Sequence, residues 1–222
     1  MKVAFSPFIA ATVPLLLFPT IAAAVPCPEC LAARFDSEAL FGGSIPWEAS
    51  QWTSQDDSVR NGTSVSHLNI SPDAQTAEFS GVLNFVTGPR PDAGFASQRT
   101  VDDFAPVNIT GYDAILIETL SSDGKDYALT LKDNVPPNNN QASVSFEYDF
   151  TPPTGPGKSL LALADFNATY QGSIVDVPPL NTSAVLRFAF MMRSFFGAQN
   201  GPFNLTIKSL SAVKMDQISL EL

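Results

Sequence analysis

Short runs of alternating apolar and polar residues recur along the chain and most strongly limit its possible folds. These runs cover residues 67–70, 77–86, 112–120, 127–131, 142–150, 185–191 and 203–207. Period-two alternation rich in β-branched and aromatic residues is typical of strands, and segments rich in Pro, Gly and Asn separate the runs. No helical pattern of ten residues lies between them. We therefore predict an all-β fold, a jelly-roll β-sandwich in a single domain, rather than a parallel α/β sheet.

Composition limits the classes of function. The 222 residues include 45% apolar residues, enough for one folded domain, and carry a formal net charge of −10. Such an acidic chain is a poor ligand for nucleic acid or for an anionic membrane surface, because both need clustered Lys and Arg. One His and two Cys nearly exclude a zinc site of Cys and His, and we expect no cofactor.

The first 24 residues have the pattern of a secretory signal peptide. Lys2 precedes a largely apolar segment, and Ala22-Ala23-Ala24 fits the small residues before a cleavage site. A retained membrane anchor is the alternative, but three prolines interrupt the apolar segment. We predict cleavage after Ala24, a secreted product and no membrane attachment after cleavage. Residues 25–39 are expected to form an N-terminal tail, residues 40–214 the sandwich and residues 215–222 a C-terminal tail.

Six Asn-x-Ser/Thr sequences agree with export. Because about two would be expected by chance, the excess predicts a glycosylated surface. The acceptors are Asn61, Asn69, Asn108, Asn167, Asn181 and Asn204.

Two cysteines lie close together after the predicted cleavage site. Cys27 and Cys30 form a Cys-Pro-Glu-Cys sequence, which in a cytosolic protein would suggest redox chemistry or half a zinc site. In an oxidising compartment we predict a small local disulfide, which adds little to global stability because its loop is short.

Residues that could carry catalysis form no recognisable pattern. His67 is the single imidazole, and no Gly-x-Ser-x-Gly sequence is present. A glycoside hydrolase needs two carboxylates about 5–10 Å apart, and no spacing singles out such a pair. Asp56-Asp57 and Asp102-Asp103 are the densest acidic points. They could help to bind Ca²⁺, but we interpret them as solvated loop charges, and whether a metal is bound stays unknown.

Two tryptophans could serve a binding site. Trp47 and Trp52 flank four residues, and an exposed indole can stack on a sugar ring. The alternative is that both are core residues, as large aromatics in small sandwiches usually are.

A series of short motifs resembles the complex I intermediate-associated protein 30 family. In chain order these are Trp52, Asp56-Asp57, Gly62-Thr63-Ser64-Val65-Ser66, Phe79-Ser80-Gly81-Val82-Leu83, Gly94-Phe95-Ala96-Ser97-Gln98-Arg99, Tyr112-Asp113-Ala114, Asp123-Gly124-Lys125-Asp126-Tyr127 and Gly201-Pro202-Phe203-Asn204-Leu205-Thr206-Ile207. The resemblance covers about residues 40–214. Two positions depart from the family pattern: residues 61–64 replace paired glycines, and Leu160-Leu161 stands where a tryptophan is expected.

The resemblance implies a galactose-binding-like β-sandwich and a role in assembling respiratory complex I. It supplies no catalytic residues. Because a secreted chain would not meet complex I during assembly, we expect the fold to carry over and the assembly role not to. For Arg99 we expect an ion pair with Asp57 or Asp113, with ligand contact as the alternative. The candidate ligand-binding residues are thus Trp47, Trp52, Asp57 and Arg99.

Three functions stay open at this point. The first is a secreted, non-catalytic module that binds a glycan or a secreted or cell-wall protein. The second is a chaperone-like or assembly partner in the secretory pathway. The third is a carbohydrate hydrolase that is active in acid, although we expect no enzymatic activity.

Overall fold

The computed structural model describes residues 36–85, 94–136 and 142–215. The predicted signal peptide and the Cys27/Cys30 pair lie outside the described residues. Residues Phe35–Leu222 belong to one compact unit. The described part contains strands and three short 3₁₀ turns, at Ala49–Gln51, Asp57–Arg60 and Leu163–Asp165, and no α-helix. None of its helices is long and apolar enough to cross a membrane.

Within the described residues, thirteen strands form two antiparallel sheets. Sheet A consists of β1 (Asp36–Gly42), β3 (Val65–Ile70), β4 (Ala77–Leu83), β6 (Ala114–Ser122), β9 (Gly157–Ala162) and β13 (Gly201–Lys214). Sheet B consists of β2 (Trp52–Ser54), β5 (Phe95–Thr100), β7 (Tyr127–Lys132), β8 (Ser145–Phe150), β10 (Asn167–Tyr170), β11 (Ser173–Ile174) and β12 (Arg187–Arg193).

Strands that are distant in sequence lie side by side in both sheets. Sheet A has the order β3-β4-β13-β6-β9, with β1 also paired to β13, and sheet B has the order β11-β10-β8-β7-β12-β5-β2. The long strand β13 pairs with β4 through Gly201 to Ile207 and with β1 through Ser209 to Lys214. Two irregularities in its pairing with β6 lie on either side of Ile207. Bulges of this kind bend a strand and increase its twist.

The core lies between the two sheets. Phe79 of β4 packs near Tyr127 of β7 and Phe190 of β12, with ring centroids 6.1 and 6.3 Å apart. Alternation along β12 explains this arrangement, because Phe188 and Phe190 point inward while their neighbours point outward. Full burial of each such ring contributes about 1.5–3 kcal/mol.

The structure confirms the predicted jelly-roll sandwich and shows strands that the alternation did not predict. Strand β1 begins at Asp36, inside the segment 25–39 that we expected to be a tail. Strands β2, β5, β9, β10 and β11 were also not predicted. In β5 all five residues from Ala96 to Thr100 are buried, on both faces of the strand. Burial there does not follow the alternation of apolar and polar residues that predicts a strand.

Candidate functional site

The outer face of sheet B, which points away from the core, carries a row of mostly polar side chains. The strand register places side by side Thr53 of β2, Arg99 of β5, Ala189 of β12, Thr130 of β7, Glu147 of β8 and Asn167 of β10. With adjacent strands about 4.8 Å apart, the stretch from Arg99 to Glu147 spans roughly 14 Å. We call these six residues the outer row.

Side chains on this face are largely inaccessible although they point away from the core. Ala128 and Ala189 are buried but do not belong to the hydrophobic core cluster. Thr130 is 4% exposed, and Glu147 and Thr169 are also buried. Polar residues on the outside of a sandwich are normally solvated, so the shielding of this part of sheet B from solvent is unusual.

Three cations lie together beside the outer row. Lys132 of β7 stands directly opposite Arg187 of β12 in the register, and Arg99 lies on the next strand, β5. Arg99 and Arg187 are buried, and Lys132 is partly buried. Like charges directly opposite each other in a sheet reduce stability. We call Arg99, Lys132 and Arg187 the cationic cluster.

One carboxylate binds two members of the cationic cluster. Asp102 Oδ1 lies 2.9 Å from Arg99 Nη1 and 2.6 Å from Arg187 Nη2. Lys132 is bonded differently, because its ammonium donates hydrogen bonds to the carbonyl and the hydroxyl of Ser143, at 3.3 and 3.0 Å. These partners of Lys132 are neutral.

The electrostatics of the cluster lower the pKa of two of its members. Burial lowers the pKa of Lys132 to about 8, and the positive charges of Arg187 and Arg99 act in the same direction. The negative charge of Glu147 opposes this shift. Burial and the positive charge of Arg99 likewise lower the pKa of Arg187, and Asp102 opposes this shift. The local potential is therefore positive, although the whole chain is strongly acidic.

A second ion-pair group lies at the other end of the same face. Arg193 Nη1 lies 2.8 Å from Glu147 Oε2, and Nη2 also bonds the carboxylate of Asp149. Burial opposes the charged form, but Asp149 and Glu147 raise the pKa of Arg193. Both carboxylates thus serve an ion pair, an arrangement that differs from the free proton donor of a glycosidase.

Buried polar atoms on this face that have no hydrogen-bond partner within the described ranges include Nε of Arg99, a residue that is 6% exposed, Oγ1 of Thr130 and Nε of Arg193. Most buried polar groups in proteins are bonded, so each exception needs an explanation. The first two atoms belong to the outer row, where a bound ligand could supply the missing partners.

The arrangement suits non-covalent recognition. Guanidinium, ammonium and hydroxyl groups can bind the hydroxyl or anionic groups of a ligand, while Ala189 and Met191 leave room for apolar ring faces. Within the part of the chain that the structure describes, no group of three His, Cys, Asp or Glu could hold a metal ion.

The two tryptophans do not belong to this face. Trp47 is 2% exposed, and its indole N–H donates to the carbonyl of Lys208 at 3.0 Å. Trp52 is buried in the core and stacks on Phe190 with centroids 5.6 Å apart. Neither indole can present a ring face to a sugar, so their predicted role in stacking is wrong and the core alternative holds.

Asp56 and Asp57 connect the two sheets, which corrects their interpretation as solvated charges. Asp57 is fully buried and accepts hydrogen bonds from the amide and hydroxyl of Ser64, at 2.9 and 2.7 Å. Asp56 accepts from the amide and hydroxyl of Ser66, in sheet A, and from the amide of Ser97, in sheet B. Asp57 is thus a structural residue rather than a ligand contact.

Arg99 lies on the candidate face, but its predicted partner was wrong. It pairs with Asp102 instead of Asp57 or Asp113. Asp57 bonds Ser64, and Asp113 accepts the amide of Met215 at 2.9 Å. The four predicted ligand-binding residues therefore do not converge, and of these only Arg99 lies on the outer face of sheet B.

Other motifs have structural explanations. Asp123 accepts hydrogen bonds from the Lys125 amide, the Lys125 ammonium and the Tyr127 hydroxyl, at 3.1, 2.8 and 2.8 Å. A Cβ on Gly62 would lie 2.1 Å from the Asp57 carboxyl carbon, and one on Gly81 would lie 2.0 Å from the Val65 carbonyl. Only glycine allows such close approach. His67 is exposed on the edge strand β3.

Five of the six predicted glycosylation sites are exposed. Asn204 is the exception, since it is half-buried on β13. Asn167 is exposed at one end of the outer row. The other exposed acceptors are Asn61, Asn69, Asn108 and Asn181.

Sequence reasoning missed most of the residues on the face. Lys132, Arg187 and Arg193 were not singled out, although four of the chain's twelve Lys and Arg residues lie there when Arg99 is included. A signal was present in β12, where the alternation of Phe with Arg and Ala places both arginines opposite the core side.

Two stacked antiparallel sheets in this strand order define the class as a galactose-binding-like jelly-roll β-sandwich. The chain belongs to the complex I intermediate-associated protein 30 family, whose sequence profile matches residues 38–207. An uncharacterized protein of Schizosaccharomyces pombe is 32% identical over 183 residues, which cover 78% of this chain and 83% of that protein.

Solved structures with this fold include carbohydrate-binding modules. The family 11 module of the cellulosomal cellulase Lic26A-Cel5E of Clostridium thermocellum matches with a TM-score of 0.52 and 10% identity, over 82% of this chain and 97% of that chain. The Clostridium thermocellum family 11 module in complex with a β-1,3-1,4-mixed-linked tetrasaccharide matches with a TM-score of 0.50 and 11% identity, over 74% and 89%. At these identities the likeness concerns the fold.

Proposed function

We propose that the protein is a secreted, glycosylated, non-catalytic module that binds a glycan through the outer face of sheet B. The observation that carries the proposal lies in the outer row, where Thr130 Oγ1 and Arg99 Nε are buried without a partner in the described part of the chain. A sugar hydroxyl can bond both kinds of atom. The fold is compatible with such a role, since a structural neighbour was solved with a tetrasaccharide bound.

Two features of the sequence support the extracellular part of the proposal. The apolar leader and the six acceptor sequences both indicate passage through the secretory pathway. A glycan or a cell-wall surface would then be the nearest abundant ligand.

Affinity electrophoresis in gels that contain polysaccharides tests this proposal. Retardation by at least one polysaccharide, reduced in Thr130→Val, is expected. Ser211→Ala is the control, because Ser211 lies on the opposite face of the sandwich, on the outer side of β13, and belongs to no predicted glycosylation sequence. Equal retardation of both variants would remove the outer row from the binding site.

A role as an assembly factor or chaperone-like partner is the second candidate, and one loop favours it. Phe196 is 87% exposed in the segment between β12 and β13, and both Phe195 and Phe196 have positive φ angles. Gln199 fixes the loop through bonds to the carbonyls of Asp126 and Arg193, both at 2.8 Å. A rigidly presented phenyl ring suits contact with a protein.

The two candidates differ in what should accompany the protein. An assembly factor should co-purify with a defined client, and Phe196→Ser should abolish that association. Recovery of the protein only in free form from the medium would contradict this candidate.

A further inference from the structure

We infer that the glycan bound by the outer face of sheet B is acidic, and that the cationic cluster binds its carboxylate or sulfate groups. The inference rests on the proposed function and assigns its ligand class. It begins with the cross-strand pair of Lys132 and Arg187, whose like charges face each other directly. A sequence that served stability alone would avoid this pair.

The charge of the cluster is concentrated away from bulk water. The side chains of Arg99 and Arg187 are largely buried, and they share Asp102, whose own side chain is 59% exposed. Lys132 bonds only neutral atoms of Ser143 among its described hydrogen-bond partners. Another carboxylate on the face, Glu147, is bound to Arg193. An anionic substituent would therefore meet a positive surface that water screens poorly.

Sheet A offers a useful contrast. Lys158 and Lys208 also share one carboxylate, Glu118, at 2.9 and 3.0 Å. Both lysine side chains are about half exposed, so water solvates their charge. Two cations that share one carboxylate thus form an ordinary surface group on sheet A, whereas the two arginines that share Asp102 on sheet B are desolvated.

A second observation points to a ligand independently of charge. Arg99 of β5 and Thr130 of β7 lie in the same outer row, on either side of Ala189 of β12. Nε of Arg99 and Oγ1 of Thr130 are both buried without a partner in the described residues. A guanidinium with a free N–H can add a bond to an oxyanion, and the hydroxyl can bind the sugar ring that carries it.

The charge of the whole chain sharpens the inference. With a net charge of −10, the protein repels polyanions in general, so any binding of an acidic polysaccharide must come from a local site. Lys132, whose pKa is about 8, should also lose its charge within an accessible pH range. Affinity for an anion should then fall as pH rises through that value.

Calorimetric titration of the full secreted protein tests the inference with three polysaccharides: polygalacturonate, dextran sulfate and neutral mixed-linked β-glucan. Preference for at least one polyanion is expected, and the two polyanions distinguish carboxylate from sulfate. Lys132→Gln should weaken polyanion binding by about tenfold or more and remove its decline above pH 8, because a charge-assisted hydrogen bond is lost. Lys208→Gln is the control and should change affinity less than twofold.

The outcomes separate the inference from the proposed function. Binding of neutral β-glucan alone would overturn the inference and leave the proposed function intact. Binding of none of the three would contradict both. Equal losses in Lys132→Gln and Lys208→Gln would show a diffuse charge effect and overturn the assigned site. Thermal melting is the check on folding, since Lys132→Gln should melt no earlier than the wild type.

Discussion

Ser64 donates two hydrogen bonds to the carboxylate of Asp57, which is completely buried. Oδ1 accepts the Ser64 amide and Oδ2 accepts the Ser64 hydroxyl. Oδ2 also lies 3.3 Å from the amide of Phe95, which belongs to the other sheet. The side chain thus links the residue that precedes β3 to the first residue of β5, and the nearby glycine at position 62 leaves the space that it fills.

Removal of this carboxylate should destabilise the protein strongly. Asp57→Ala would leave buried donors without a partner, and we expect a loss of about 3 kcal/mol in the free energy of unfolding. Urea unfolding measures this loss. The exposed Asp73 also accepts hydrogen bonds, so Asp73→Ala is the control, with an expected change below about 0.5 kcal/mol. Similar values for the two variants would contradict the linking role.

The tryptophans should report on the core instead of on ligand. Since both indoles are buried, the folded protein should show blue-shifted emission that iodide does not quench, and saturating polysaccharide should leave the emission unchanged. Trp52→Ala should lower the free energy of unfolding by about 3–5 kcal/mol. Iodide quenching of the native protein as efficient as that of the unfolded chain would contradict the buried positions.

The lowered pKa of Lys132 predicts a pH dependence of stability. Between its folded pKa of about 8 and its ordinary value of 10.5, the unfolded chain binds more protons than the folded protein. The free energy of unfolding should therefore gain a positive contribution as pH rises from 8 toward 10. Tyr127, whose pKa is raised by burial and by Asp123, contributes in the opposite sense only above about pH 10.

Urea unfolding of wild type and Lys132→Gln at several pH values between about 7 and 9.5 isolates this contribution. The wild type should gain stability relative to the variant as pH rises. Parallel curves for the two proteins would show that Lys132 titrates normally.

A glycan at Asn167 should reduce access to the outer row. Asn167 is exposed and lies next to Glu147 in the register, so an attached glycan would extend from the end of the face. Mass spectrometry of the secreted protein establishes occupancy, and Asn167→Gln is then expected to raise polysaccharide affinity. Asn69→Gln is the control, because Asn69 is exposed on β3 of sheet A. Equal affinities for both variants would contradict the position of the site.

Much of the fold could be predicted from the sequence because alternation records which face of a strand meets the core. Strands β3, β4, β7 and β12 follow this rule. Strand β5 was not predicted because polar residues such as Ser97 and Arg99 are buried on its outer side. Its sequence therefore lacks the alternation of apolar buried and polar exposed residues. Strand β9 was not predicted because it directly follows a Pro- and Gly-rich turn segment. Its Leu160 is also exposed on the outer face of sheet A, where alternation predicts a polar residue.

The site could be predicted much less well. Arg99 was found through its family motif, but Lys132 and Arg187 become neighbours only when β7 pairs with β12 across 55 residues of sequence. The acidic pair at positions 56 and 57 looked like surface charge because the sequence does not show that Ser64 and Ser66 would surround it. Contacts between distant strands decide both cases.

Chemical-shift mapping of the ¹⁵N-labelled protein with a mixed-linked β-glucan tetrasaccharide and with trigalacturonate measures directly where a glycan binds. The account predicts shifts for the amides of Arg99, Ala189, Thr130 and Glu147 on the outer face of sheet B. Shifts confined to sheet A or to the loop that presents Phe196, or no shifts with either sugar, would contradict it.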